Sequence, residues 1–323
     1  TDTRQPTTHN SKPTTFQPSN LPSPAMKKLL YKLDKYRRRW MHEMIVAPRL
    51  NKAFQENKPS LDNIQQRVLN DLKEKGIAFL SFDELMPAEL LSNMEKEYVN
   101  FETQSDVSQI ITQYKTGLEQ DNPNYKQYNI RHTQHSKGYS SHDAIMQVAL
   151  HQKLTDIVST YFNEQALLRY VDFWYSIASG NKNNKREYSQ NWHRDPEDLR
   201  MLKVFIYLND VDERNGAFEY ITCSTRNNKF GNVFPYDNEH PDNYPEETEL
   251  RKLIPAEHFV KGSGKKGTVI LCDTHGFHRG GYCIDGDRKL MTLMYLRASL
   301  FMSNQYKLND SNQLSAKQKL ALA

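Results

Sequence analysis

The chain has 323 residues, enough for one large domain with appendages or for two domains. Its net charge of +4 is too mild to imply a nucleic-acid partner, and no RNA-binding motif or zinc knuckle is present. Three cysteines are too few, and odd in number, for a disulfide framework, and no apolar run approaches the roughly 18–20 residues that span a bilayer. Reduced thiols and the lack of an apolar secretory core near the start predict a soluble, cytoplasmic protein.

In chain order, residues 1–25 are rich in Thr, Pro, Ser and Asn and offer almost nothing to bury, which predicts a disordered tail. Residues 26–58 read as a basic helical extension. Leu29, Leu30, Leu33, Tyr36, Trp40 and Met44 recur at helical spacing, among Lys27, Lys28, Lys32, Lys35, Arg37, Arg38, Arg39 and a lone Asp34. Such a helix suits peripheral contact of residues 26–46 with an anionic membrane surface. Packing of the stripe on the main domain or on a partner subunit is the plainer alternative, and the oligomeric state stays open.

A helix is predicted after Pro59, capped by Ser60, striped by Leu61, Ile64, Val68 and Leu72 and stopped by Gly76. Residues 77–82 read as a buried strand and 86–102 as another helix, 104–145 as polar and irregular, and 149–162 as helical. From there strands are predicted at 166–178, 202–210, 217–221, 267–273 and 288–300, separated by Gly, Asn and Asp turns. Helices first and strands later imply an α+β fold in which helices flank an antiparallel sandwich or barrel. Residues 227–260 are too long and too rich in Tyr and Pro for a plain turn, and read as a lid-like insert. Residues 303–323 read as a polar C-terminal tail.

The chemistry concentrates in two segments. His193 and Asp195 stand two apart, so on extended backbone they project to one face and can reach one ion. A third ligand can come from His240, His258, His275 or His278, or from a further carboxylate. His278 is favoured because it follows the apolar strand and precedes Gly280-Gly281. Two His and one carboxylate leave open positions on Fe(II) for a co-substrate and O2, whereas a structural zinc site wants four protein ligands. Arg288 opens the next strand, where a guanidinium can grip the far carboxylate of a dicarboxylic co-substrate bidentately. Arg194 and Arg279 flank ligands, and Lys203 alternates on a strand. All three are candidate contacts to an anionic substrate.

The runs WHRDPEDLRMLKVFIYLNDVDERNGAFEYI and GTVILCDTHGFHRGGYCIDGDRKLMTLMYL resemble the phytanoyl-CoA dioxygenase family of Fe(II)/2-oxoglutarate oxygenases, over about residues 60–302. The resemblance implies a double-stranded β-helix, the jelly roll of the cupins. It implies iron on His193, Asp195 and His278, 2-oxoglutarate on Arg288, and Phe205 as the aromatic beside the co-substrate. Gly280 departs from the pattern, which often has Ser there; Thr292, on the strand face of Arg288, is the substitute considered.

With Asp195 in place, the resemblance favours hydroxylation or another oxidation over halogenation. The implied reaction oxidises an unactivated C–H of a small-molecule, lipid or glycan-type substrate. It consumes O2 and releases succinate and CO2, with ascorbate supporting it in vitro. A cupin-like non-redox metalloenzyme and a non-catalytic binding module are the competing classes.

Overall fold

The computed structural model describes residues 40–116, 129–134, 138–178, 186, 188–195, 197–198, 200–234, 244–297 and 304–322, and before them positions 26, 29, 33, 36 and 37. The disorder expected for 1–25 lies outside these residues.

Helices dominate the first half: α1 (Ala47–Glu56), α2 (Asn63–Lys75), α3 (Phe82–Leu85), α4 (Ala88–Glu102), α5 (Ser105–Thr116), α6 (Ala144–Ala149) and α7 (Gln152–Phe162). Two more follow, α8 (Glu247–Leu253) and α9 (Ala316–Leu320). The strands are β1 (Ile77–Ser81), β2 (Asn129–Arg131), β3 (Ala166–Ser176), β4 (Met201–Tyr207) and β5 (Phe218–Ile221). They continue with β6 (Phe259–Gly262), β7 (Thr268–Cys272), β8 (His278–Arg279) and β9 (Arg288–Arg297).

The strands form two antiparallel sheets, one of six in the order β1-β7-β4-β9-β3-β2 and one of three in the order β6-β5-β8. β3 pairs with β9 along nearly its whole length, with a register shift between Leu168 and Tyr170. Alternate residues of the larger sheet serve two cores. Val171, Phe173, Val204, Ile206, Leu293 and Tyr295 pack against the helices through Leu72, Met94, Phe101, Ile145 and Leu154. Phe205, Tyr207 and Leu290 point the other way and meet Phe218 and Tyr220 of the smaller sheet. The Phe205 and Phe218 rings lie 4.9 Å apart, and Tyr207 donates to the Gly262 carbonyl at 2.8 Å. The site therefore sits between two facing sheets.

The α+β class and the antiparallel sheets are as expected, but the two sheets do not close into a barrel among the described residues. The cap of α2 is Asp62 rather than Ser60. Its side chain accepts from the Gln65 amide at 2.8 Å while Gln65 returns a bond to Asp62, a reciprocal box that Ser60 is too far back to make. Gly76 stops α2 at φ 81, a left-handed position that suits glycine. The stretch 104–145, expected to be irregular, contains α5, β2 and the start of α6.

The expected C-terminal tail packs onto the domain. Leu314 and Ala321 are buried, a Ser315–Gln318 box starts α9, and the Ala321 carbonyl accepts from Leu168. At the other end, positions 26, 29, 33, 36, 37 and 40 are helical. Their apolar members, Met26, Leu29, Leu33, Tyr36 and Trp40, are exposed.

Candidate metal centre

His193, Asp195 and His278 come together with ligand atoms within 4.8 Å of one another. Backbone pairing makes this possible. His193 and His278 exchange two N–H···O bonds of 3.0 Å, and the Asp195 amide donates to the Thr274 carbonyl at 2.9 Å. The short His-x-Asp segment is thus clamped beside β8. The residue between the ligands faces the other way, as strand alternation requires.

Each imidazole is oriented by its Nδ1, which bonds a carbonyl two residues back: Asn191 at 2.8 Å for His193 and Gly276 at 3.0 Å for His278. Donation from Nδ1 leaves the Nε2 lone pair as the ligand atom. Both Nε2 atoms face Asp195, at 3.7 Å from Oδ1 for His193 and 3.5 Å from Oδ2 for His278. Two imidazoles and one carboxylate at these spacings fit three adjacent positions around a divalent ion with bonds of about 2.0–2.2 Å. The donor set therefore fits a metal.

Burial pushes the His278 imidazole down to about 3, with His193 beside it acting the same way and Asp195 opposing. Burial would raise the Asp195 carboxyl, but the Lys203 ammonium and then the two imidazoles outweigh it and hold it below the usual carboxylate range. Lys203 Nζ lies 2.5 Å from Asp195 Oδ2. Both groups are thus in the metal-binding protonation state at neutral pH.

The His278 shift has a consequence for stability. An unfolded histidine titrates near 6.5, so between that value and about 3 the unfolded chain holds a proton that the folded chain refuses. Stability falls as pH drops through that window. The unfolding midpoint of the metal-free protein is expected to fall between about pH 7 and 5. His278→Gln is expected to flatten that fall, and parallel profiles for the two proteins would refute the assignment.

The triad opens into a cavity of about 310 Å³ lined from both sheets, at the small end of the ~300–1,000 Å³ typical of ligand sites. Arg288 enters it from β9. Its guanidinium donates to the Gly216 carbonyl and, at 3.3 Å, to the Ser176 hydroxyl, and it forms no ion pair among the described residues. Gly280 lies alongside, where a Cβ would stand 3.8 Å from Arg288 Nη2 and 3.6 Å from the Ser189 carbonyl. Phe205 and Lys203 line the same cavity. Thr292 is buried on β9 but is not among the lining residues, and the hydroxyl beside Arg288 is that of Ser176.

Arg194 and Arg279, expected as contacts to an anionic substrate, are not among the residues that line this cavity. Arg194 is buried behind the ligands, where it donates to the carbonyls of Ser224, His275, Phe230, Gly231 and Val233 and stacks on Phe277 at 3.8 Å. Burial without a carboxylate partner lowers it to about 10. It ties the loop after β5 to the ligand segment. Arg279 pairs with Glu219 at 2.6 Å and Glu247 at 2.7 Å and stacks on Trp192.

Three further residues reach the cavity without an obvious mark in the sequence. Arg131, on edge strand β2, lies with its guanidinium 4.8 Å over the Trp174 ring, and that guanidinium makes no hydrogen bond or ion pair among the described residues. Trp174 is fixed by its Nε1 donating to Tyr170, whose hydroxyl donates to buried Asp172, each at 2.6 Å. Glu197 places a buried carboxylate oxygen without a hydrogen-bond partner at the cavity wall, and burial, then Asp195, raises its carboxyl. Tyr244, from the 227–260 insert, stands edge-on to His193 at 6.0 Å.

No curated protein matches the chain. Among solved structures it is similar to EctD from S. alaskensis with bound Fe, at 18% identity over 74% of this chain and 79% of that one, TM-score 0.49. It is similar to HygX from Streptomyces hygroscopicus with nickel and 2-oxoglutarate bound (15%, 82% and 96%, 0.46). It is also similar to the non-heme alpha ketoglutarate dependent epimerase SnoN from nogalamycin biosynthesis (12%, 72% and 80%, 0.46). The family model for phytanoyl-CoA dioxygenase (PhyH) matches residues 79–283, well over half of these 323 residues, and the chain belongs to that family.

Proposed function

We propose that this protein is an Fe(II)- and 2-oxoglutarate-dependent dioxygenase that hydroxylates, or otherwise oxidises, an unactivated C–H bond of a small polar substrate. One observation carries the reading: a buried guanidinium with no counter-ion among the described residues, Arg288, opens into the same cavity as a two-His, one-Asp triad. A buried cation is costly unless an anion meets it. A dicarboxylate fills both roles, with one end at the metal and the other on Arg288. The two facing sheets are then read as the walls of a double-stranded β-helix.

Iron with 2-oxoglutarate supplies the oxidation by O2, and succinate and CO2 are the by-products. The chain's own part is placement. His193, Asp195 and His278 would hold the metal, which would supply the site for co-substrate and O2. Phe205 and Phe218 wall the cavity with apolar surface and exclude water from it. Ser176 and the Gly216 carbonyl aim the Arg288 fork. Lys203 is occupied by Asp195, so an anionic group on the substrate is left to Arg131. The unpartnered Glu197 oxygen calls for a donor such as a hydroxyl.

Protein stripped of metal and reloaded with Fe(II) without oxygen is expected to develop a visible charge-transfer band on addition of 2-oxoglutarate. Admission of air should then yield succinate. Absence of both the band and succinate would overturn the reading in favour of a non-redox metalloenzyme or a binding module.

A further inference from the structure

Large exposed apolar side chains are concentrated at one place. Of the ten among the described residues, seven lie between Met26 and Ile45: Met26, Leu29, Leu33, Tyr36, Trp40, Met44 and Ile45. Each is between 48% and 69% exposed, and the other three, Val99, Tyr244 and Leu253, are far apart in sequence. Steps of three and four along helical backbone put Leu29, Leu33, Tyr36, Trp40 and Met44 on one stripe. Scattered exposed apolar residues need no explanation, whereas a contiguous stripe does.

The root of this helix is fixed. His42 is buried with Nε2 3.4 Å from Glu164, Glu43 pairs with Arg297 at 3.3 Å, and Phe54 is buried in the next helix. The stripe is therefore held out from the domain at its C-terminal end. Residues 26–40 of the sequence contain seven Lys and Arg against Asp34, more than the net +4 of the whole chain. The rest of the protein is net acidic, so the basic character is confined to the segment that carries the stripe.

We infer that the exposed apolar residues between Met26 and Ile45, together with the cations of the same stretch of sequence, dock on an anionic lipid surface, lying in the interface rather than crossing it. No helix among the described residues is long and apolar enough to cross a membrane. Leucines with a Trp and a Tyr on one face and dense Lys and Arg in the same segment are the features of an in-plane anchor. A second copy of the chain fits less well, because pairing two such segments gathers fourteen cations against only the two copies of Asp34. An anionic bilayer neutralises them instead, at about 1 kcal/mol for each Lys or Arg near the surface.

The test uses the full chain with vesicles of phosphatidylcholine alone and of phosphatidylcholine with phosphatidylserine, read by flotation and by Trp fluorescence. Binding is expected only to the anionic vesicles and should weaken with salt. Leu33→Glu with Trp40→Glu is expected to weaken it at least about 10-fold by removing apolar burial. Replacing Lys27, Lys28, Lys32 and Lys35 with Ser is expected to weaken it about 100-fold or more. These positions lie outside the metal site, so metal content and the unfolding midpoint should not change. No binding to anionic vesicles at low salt overturns the inference. So does self-association by sedimentation that the Leu33 and Trp40 substitutions abolish while vesicle binding persists.

Discussion

Asp195→Ala is expected to abolish turnover and to destabilise the protein at the same time, and a second substitution should separate the two effects. Loss of a residue that merely orients a ligand weakens a metal site roughly 10–100-fold, so loss of the ligand itself should exceed that range. Measured by chelator competition on the metal-free protein, affinity is expected to fall by more than about 100-fold. The stability cost has a different origin. Asp195 is the ion-pair partner of Lys203, 2.5 Å away, and both side chains are largely shielded from solvent. Removing one partner of a buried pair typically costs about 3 kcal/mol or more, because the other charge is stranded. Lys203→Met added to Asp195→Ala should restore most of that stability in urea unfolding while leaving metal affinity lost. If the double variant is as unstable as the single one, the Lys203–Asp195 pairing described here is wrong.

Arg288→Ala should act on the co-substrate and spare the metal. Charged hydrogen bonds are worth about 1.5–3 kcal/mol each, so KM for 2-oxoglutarate is expected to rise roughly 10- to 100-fold. Affinity for Co(II) or Ni(II) in its absence should stay unchanged, since Arg288 contacts Gly216 and Ser176 and no ligand. Arg288→Lys should recover only part of the loss, because an ammonium cannot present the two-pronged donor. Equal loss of metal binding in Arg288→Ala would place the residue in the scaffold instead.

The parts of the site that were legible in the sequence are those that two-residue alternation controls. His193 and Asp195 share a face for that reason. The same rule sends Arg194 to the opposite face and Arg279 away from His278, yet proximity in sequence made both look like substrate contacts. Their real surroundings, five carbonyls for Arg194 and two glutamates for Arg279, come from loops and a helix distant in the chain. Long apolar strands such as β3 and β9 announced themselves, whereas β2, β6 and β8 have two to four residues and no room for a period. Arg131, Ser176 and Glu197 escaped notice because polar residues in strands and loops are common. Only the pairing of β2 with β3, and of β3 with β9, brings Arg131 to the cavity and Ser176 beside Arg288.

The shift in β3 decides which of its side chains belong to the site at all. Up to Leu168 the even-numbered residues face the helices, while from Tyr170 onward the odd-numbered ones do, as the partners Tyr295, Met294 and Leu293 on β9 show. Arg169 is the extra residue, and its carbonyl is taken up by Gln305 of the C-terminal segment. One inserted residue thus works as a frameshift in three dimensions. Read without it, the strand would offer Phe173 and Tyr175 to the cavity and send Asp172, Trp174 and Ser176 into the greasy layer beneath the helices. The companion of Arg288 and the platform under Arg131 are therefore set by phase rather than by local composition, at Arg169, well back along the strand from both Trp174 and Ser176.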